Sequence, residues 1–434
     1  MTVRGTPPVP DVFDPRQYAV AVPYAAYRVL RDHHPVARQD EPEVLGWPAG
    51  PGFWAVTRHA DVVRVLRDSA TYSSSLGATQ IRDPDPDDLP FIRRMMLNQD
   101  PPRHARLRRL VSRAFTPGRI ERFAAVAAGR ARALFAGALD TARAGDGTVD
   151  LVTAVTDDYA LLNLADLLGV PERDRGLLLH WTQRVIGYQD PDEAGAPVLD
   201  AAGRPVNPRS PAMLRDMFDY ARHLAAYKRR HPADDVMTAL ALPRVPGSAR
   251  TGGTPATELA DAELEMFFFL LTVAGNDTVR SAAPGGLLIL AEHPDTYALL
   301  RAGRAELSTA VDELLRLHPP VLTFRRTAAQ DTELAGRRIR AGDKVVVFHA
   351  SANRDERVFA APDAFHPGRT PNPHVSFGDG PHVCPGAHFA RLQLRLLYRE
   401  ALRVLPSPPT TAAPARRLVS NFINGLKSLP VRVA

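Results

Sequence analysis

The chain has 434 residues, 45% of them hydrophobic, with 54 Lys and Arg against 48 Asp and Glu, so its net charge is 54 − 48 = +6. That content suffices for one large domain or two ordinary ones, and there is no run of about 18 apolar residues to serve as a membrane anchor. The single cysteine, Cys384, excludes an internal disulfide and any zinc site built on two or more thiolates, and it points to a reducing, cytoplasmic setting.

The opening "MTVRGTPPVPDVFDP" lacks the apolar core of a signal peptide. Helical periodicity then covers 19–34 and 59–68, with a strand in "FWAVTR" (Phe53 to Arg58) between them. Residues 75–95 mix apolar and turn residues. The helix expected over 103–115 holds the basic run "RHARLRRLVSR". Without interleaved aromatics that run does not read as a nucleic-acid surface, and an acidic protein partner or anionic ligand suits it better. Further helices are expected over 119–142, 150–168, 172–187, 210–230 and 233–241, with Pro- and Gly-rich stretches at 188–209 and 243–256.

The longest helical pattern, 258–292, would span about 50 Å at about 1.5 Å per residue. Its run "MFFFLLTVAG" is apolar nearly all round and reads as buried, which makes Asp277 and Thr278 conspicuous. The ordinary account is a Thr278 hydroxyl bonded back to the Ala274 carbonyl and an Asp277 that is solvated or paired. Pro284 cannot donate to the Arg280 carbonyl, so a kink is expected there. Helices follow over 294–303 and 305–317, the latter carrying Glu313 and Arg316 three residues apart, a spacing usual for a surface pair. "TELAGRRIRAGDKVVVFHA" reads as a strand pair around a Gly-Asp turn with "VVVF" as its buried half. "NFINGLKSLPV" reads as a hairpin with Asn424-Gly425 at its tip. No linker cuts the chain. The expected architecture is mainly α with small β-sheets, a single domain over 1–434 whose β-rich part lies mainly in 40–75, 320–350 and 416–434.

The segment "FGDGPHVCPG" places Cys384 just before a helix expected over 386–404, with Pro385 suited to its first position. Orphan N–H groups there favour an anion, and a thiolate is one. Gly378, Gly380 and Gly386 let backbone approach a flat or bulky partner. A buried free cysteine and a weak metal set of His382, Cys384 and His388 are the alternatives these residues leave open.

The complete pattern Phe377, Gly378, Gly380, His382, Cys384, Gly386 resembles the haem-binding loop of the cytochrome P450 family, and the resemblance extends from "GFWAV" to "GLKSLPV". It implies the P450 fold, a triangular domain with a long central helix over haem b, and Cys384 thiolate as axial ligand of the haem iron. It makes Glu313, Arg316 and Arg369 (in "FHPGR") a buried charge cluster that pins the cysteine loop. It makes Ala274, Gly275, Asn276, Asp277 and Thr278 the oxygen-binding segment, with Gly275 leaving room for dioxygen, Thr278 holding the oxygen being reduced and Asp277 feeding protons. His104, Arg108, Arg326 and His382 are assigned to the haem propionates. Leu270, Val273, Val321, Leu322, Phe422 and Ile423 are assigned to the substrate pocket, roofed by 76–97 with Gln80, Arg82 and Arg94, and the ends of the 172–230 helices act as a lid.

The implied activity is a haem-thiolate monooxygenase that inserts one oxygen atom of O2 into a C–H bond of a small hydrophobic molecule. An intermediate of secondary metabolism is the expected substrate, and a steroid or branched lipid the alternative. Coupling, nitration or desaturation, or a non-catalytic haem sensor, are further alternatives. Electrons would come from NAD(P)H through an external ferredoxin and its reductase, docking on Arg106, Arg109, Arg391 and Arg395. Asp379 would add negative charge on that face.

Overall fold

Met266, Phe267, Phe268, Phe269 and Leu271 form an almost unbroken apolar run, and a helix apolar on every side needs neighbours on every side. The computed structural model, which describes residues 6–186, 190–194, 210–242, 259–405 and 407–433, supplies them. The central helix Asp261–Glu292 packs against helices Asp157–Leu168, Arg175–Ile186, Arg215–Arg230 and Ala387–Val404. Its first turn is closed by Glu263, whose carboxylate accepts from the Ala260 N–H at 3.0 Å.

The helix runs through Pro284 unbroken. The Tyr398 hydroxyl donates to the carbonyls of Ala282 (3.0 Å) and Ala283 (3.3 Å) just before it. Gly285 and Gly286 follow because a Cβ there would stand 2.2 Å from the His318 ring and 2.0 Å from the Tyr398 hydroxyl. The triplet is therefore a packing seat, built for two polar side chains that enter from other elements.

Most expected helices form, with ends shifted. The one expected over 19–34 is two, Pro15–Val20 and Tyr24–His33, because Pro23 lacks the N–H to join them. The stretch 243–256 lies outside the described residues. Within 188–209 only 190–194 are described, and Pro191–Ala194 form a helical turn.

The main sheet orders its strands Val36–Gln39, Phe53–Val56, Lys344–Phe348, Thr323–Ala328 and Tyr72–Ser73. Lys344–Phe348 is buried along its whole length and pairs parallel to Phe53–Val56 and antiparallel to Thr323–Ala328. This corrects the expected hairpin around Gly342-Asp343. The preceding strand Arg337–Ile339 turns at Ala335-Gly336 and pairs with Thr332–Leu334 instead. A strand hydrophobic on both faces takes two distant partners, because its local neighbour has one buried residue, Ile339, to offer. The C-terminal expectation is corrected in the same way. Asn424-Gly425 is not a hairpin tip; it lies at the foot of a loop between the paired strands Arg416–Arg417 and Leu426–Ser428.

His318 joins this region to the central helix. Its Nε2–H donates to the Asn424 carbonyl at 2.9 Å while its ring fills the notch at Gly285. Burial, above all, holds His318 at about 3 and His349 at about 4, against an ordinary 6.5. Both values are depressed on folding, so the unfolded chain binds the extra protons. The contribution is complete above about pH 6.5 and is lost as pH falls toward the folded values. The melting temperature is expected to drop from about pH 6.5 to about pH 4.5, and His318→Gln to reduce the slope of stability against pH by up to one proton. Scanning calorimetry across that range checks this; an unchanged slope in the variant rules it out.

Candidate functional site

The cysteine loop is shaped by its own backbone. The Cys384 N–H donates to the Phe377 carbonyl at 2.9 Å, and the Gly378 N–H to that of Val375 at 2.9 Å. Gly378 and Gly380 take φ of +71° and +66°, which side-chain-bearing residues avoid, and a Cβ at Gly380 would stand 2.6 Å from the Leu66 carbonyl oxygen. The following helix is Ala387–Val404 with Gly386 as its cap, so Pro385 precedes the helix and is not its first residue. Burial pushes the Cys384 thiol up, while the Gly386 N–H donated to the sulfur and the charges of Arg108 and Arg391 act in the opposite direction. Asp379, expected to add negative charge beside this loop, pairs with Arg67 at 2.9 Å.

The irregular segment before this loop hangs on Glu313. Arg316 meets that carboxylate with two bonds of 2.7 Å, and Arg369 with bonds of 2.9 and 3.0 Å. Glu313 and Arg316 have no exposed surface. Burial raises the Glu313 carboxyl, but the two guanidinium groups outweigh it and hold the group below its usual range. Arg316 also donates to the carbonyls of Asn353 (2.8 Å), Pro362 (2.6 Å) and Ala364 (3.1 Å). The sequence spacing suited a surface pair; the structure makes it a core cluster.

A second group gathers His104 and Arg108 of the helix Arg103–Ser112, Arg326 of the strand Thr323–Ala328 and His382 of the cysteine loop, three separate segments. The two imidazoles stack with centroids 4.1 Å apart. Neither Arg108 nor Arg326 has an ion pair among the described residues, although Arg326 is only 3% exposed. Burial pushes its guanidinium down to about 10 and, with Arg326 and His104 beside it, holds His382 at about 3. The carboxylate acting on His104, Arg326 and His382 is Asp100, already committed to Ser73 (2.5 Å), Ser75 (2.7 Å) and the Ser74 N–H (2.8 Å). Ser74 in turn contacts His382 at 3.2 Å. Sequence reading missed Asp100 and Ser74, which carry no local motif. One buried and one half-buried cation without ion pairs among the described residues, with donor imidazoles beside them, fit a ligand bearing two carboxylates, and a sulfur at a glycine-rich loop fits its metal. The residues present therefore suit haem.

On the central helix, Leu270, Val273, Ala274 and Thr278 keep accessible surface in the midst of buried neighbours, and their spacing puts them on one face. That stripe borders interior space. The Thr278 hydroxyl donates to the Ala274 carbonyl at 2.7 Å. Gly275 needs a correction: a Cβ there would stand 2.8 Å from Leu164 Cδ1, so its missing side chain serves helix packing. Leu322 is corrected too, being fully buried in the core that holds Phe53, Val346 and Phe348 and so backing the pocket wall. Val321 bridges to Ile423, and the Phe422 ring meets Phe324 at 5.6 Å. In the roof, Arg82 donates to the Val44 carbonyl (3.1 Å) and lies over Trp47, while Arg94 lies over Phe91. Of the arginines expected to dock a partner, Arg106 is taken by Glu263 at 2.7 Å and Arg391 by Asp312 at 2.6 Å, the latter also lying 4.4 Å over the Phe377 ring. Arg109 and Arg395 are exposed.

The sequence model of the family described as cytochrome P450 matches residues 47–405. The chain belongs to the cytochrome P450 family. Its cofactor is therefore haem held by a cysteine thiolate, and its activity is that of a P450 monooxygenase. It is 38% identical over 427 residues to the steroid C26-monooxygenase of Mycobacterium tuberculosis, covering 97% of this chain and 92% of that one. It is 37% identical over 408 residues to the methyl-branched lipid omega-hydroxylase of the same organism, covering 94% and 90%. Among solved P450 structures, that of Mycobacterium marinum CYP268A2 in complex with pseudoionone superposes with a TM-score of 0.81 at 36% identity, covering 99% of this chain and all of that one. Among the described residues no helix is long and apolar enough to cross a membrane.

Removing one member of the Glu313 cluster leaves a buried charge unpaired. Glu313→Gln is expected to cost about 3–5 kcal/mol and to lower haem retention as the cysteine loop loosens. Chemical denaturation and the haem-to-protein absorbance ratio measure both, and a variant of wild-type stability with full haem content contradicts the assignment.

Proposed function

We propose that this P450 hydroxylates an unactivated C–H bond on the aliphatic part of a steroid or methyl-branched lipid, acting as one domain in the cytoplasm. Electrons come from NAD(P)H through a ferredoxin and its reductase, and the exposed Arg109 and Arg395 belong to the docking face. The overall change is substrate C–H plus O2, two electrons and two protons giving C–OH and water. When bound, haem supplies the activation of dioxygen and the attack on the C–H bond.

The chain's own residues do the rest. Cys384 would hold the haem iron through its sulfur, and the Gly386 N–H donated to that sulfur would limit the charge it supplies. Arg108, Arg326, His104 and His382 would take the two propionates. Leu270, Val273, Val321, Phe422 and Ile423 exclude water and hold the substrate. Asp277 feeds protons inward and Thr278 places them, its hydroxyl being anchored on Ala274 with lone pairs left to accept.

The substrate class rests on one observation above others. The polar roof groups that would meet an oxygen-rich metabolite are already engaged, Arg82 by Val44 and Trp47 and Arg94 by the Phe91 face. The accessible stripe of the central helix is apolar apart from Thr278. Relatives named for steroid and branched-lipid hydroxylation agree with this. Titrating the purified haem protein with a steroid that keeps its aliphatic side chain, and with a methyl-branched fatty acid, is expected to shift the haem spin state. Turnover is expected to give a singly hydroxylated product by mass spectrometry. Shifts confined to glycosylated or peptidic metabolites would overturn the substrate class.

For the relay, Thr278→Ala is expected to lower product formed per electron by on the order of tenfold and to raise hydrogen peroxide release, with substrate binding retained. Unchanged coupling in that variant removes Thr278 from the proton path.

A further inference from the structure

Asp277 stands seven residues, two helical turns, after Leu270, so it falls on the same side of the central helix as the accessible stripe. It is 3% exposed, and its Oδ2 has no hydrogen-bond partner among the described residues. It lines a cavity of about 30 Å³ together with Thr182, Glu193, Arg280, Ser281 and Lys427. That is room for one or two waters, among polar groups that can hold them.

Three other polar groups of this lining have partners. Arg280 is bound to Asp157 at 2.7 and 3.3 Å, Lys427 to Asp190 and Asp192 at 2.8 Å each, and the Thr182 hydroxyl donates to the Leu178 carbonyl at 2.7 Å. Two carboxyl groups line the cavity, Asp277 and Glu193. Asp277 is buried; Glu193 is half-exposed, on the helical turn Pro191–Ala194 at the protein surface. Burial, first of all, pushes the Asp277 carboxyl well above its usual range. Arg280 opposes that, and the nearby charges of Asp157 and Glu193 add to it. Burial thus favours the protonated carboxyl of Asp277, whose unpartnered oxygen belongs to a residue of the cavity wall.

We propose that Glu193 is the proton-entry residue of this P450, taking protons from bulk water and passing them through cavity water to Asp277. The inference rests on the reading that Asp277 feeds protons toward Thr278. In each transfer the Glu193 O–H bond breaks, a cavity water gains that proton and gives one of its own to Asp277, and Asp277 releases the proton it held toward Thr278. Glu193 is then reprotonated from solvent. No group is left changed, one proton has moved, and the electrons of the reaction arrive separately from the ferredoxin. Arg280, fixed by Asp157, keeps a positive charge beside the path.

The test follows deuterium into the holoenzyme. The carbonyl stretch of protonated Asp277 is assigned in the infrared by its loss in Asp277→Asn, and its shift is timed after mixing into D2O. Glu193→Gln is expected to slow that shift on the order of tenfold or more, and Glu193→Asp to restore most of it. Gly425→Ala gives a second route, because its methyl would lie 3.5 Å from Ser281 Oγ at the cavity wall and is expected to slow exchange without touching either acid. In turnover, Glu193→Gln is expected to raise the solvent isotope effect on product formation and leave the substrate-induced spin shift unchanged. If Asp277 exchanges at the wild-type rate in both Glu193→Gln and Gly425→Ala while Asp277→Asn still uncouples turnover, the entry assigned to Glu193 is wrong and the role of Asp277 stands. If Asp277→Asn leaves coupling intact, the role of Asp277 falls, and a slowed exchange in Glu193→Gln would show a path that catalysis does not use.

Discussion

The position of the sulfur depends on a carboxylate with no exposure to water. Glu313 sits on the helix Leu307–Leu317, and the segment leading to the cysteine loop has no ladder of its own to hold it. Arg316 and Arg369 supply the missing order. They neutralise Glu313 and spend their remaining donors on carbonyls of that segment, so an irregular stretch is satisfied without secondary structure. Asn353 extends the hold, accepting from the Val375 N–H at 2.8 Å and donating to Ser376 Oγ at 2.8 Å, next to Phe377. In a low-dielectric interior a charge cluster of this kind has one good arrangement, and any slip of the chain would strand a guanidinium.

The central helix meets two environments in succession along one side. Asp277, Arg280 and Ser281 stand seven residues after Leu270, Val273 and Ala274, so the 100° step returns them to the same side about 10 Å further along the axis. The first stretch is apolar apart from the Thr278 hydroxyl and suits a lipid-like substrate. The second is lined by ionisable and polar groups. Asp277 and Thr278, adjacent in the chain, stand where the two stretches meet.

The cation cluster shows the complementary economy. Arg326 and Arg108 are desolvated without acidic partners among the described residues, an arrangement that is unfavourable in the empty protein and favourable once two carboxylates arrive. Asp100 is near enough to temper the repulsion but is held by three serines and cannot swing in to quench it. Folding and cofactor capture are therefore coupled in this chain, as they are in many proteins whose site is built of like charges.

Much of this was legible in the sequence because it is local. The loop around Cys384 is specified by glycines that take positive φ and by a helix that starts at once afterwards; the burial of the central helix follows from its unbroken apolar run. What the sequence could not decide is pairing at a distance. Lys344–Phe348 pairs with Phe53–Val56, two thirds of the chain away, because a strand apolar on both faces takes whichever partners bury it. Gly275 looked like room for a ligand and proved to be room for Leu164. Glu313 and Arg316 have the spacing of a surface pair, and only the arrival of Arg369 in a closed core makes them a keystone. Asp100, Asp157 and Glu193 sit in unremarkable runs and acquire meaning from what folding sets beside them. Chemistry that resides in a short run of backbone can be read from the chain, whereas charge and packing depend on the dielectric and the neighbours that tertiary structure creates.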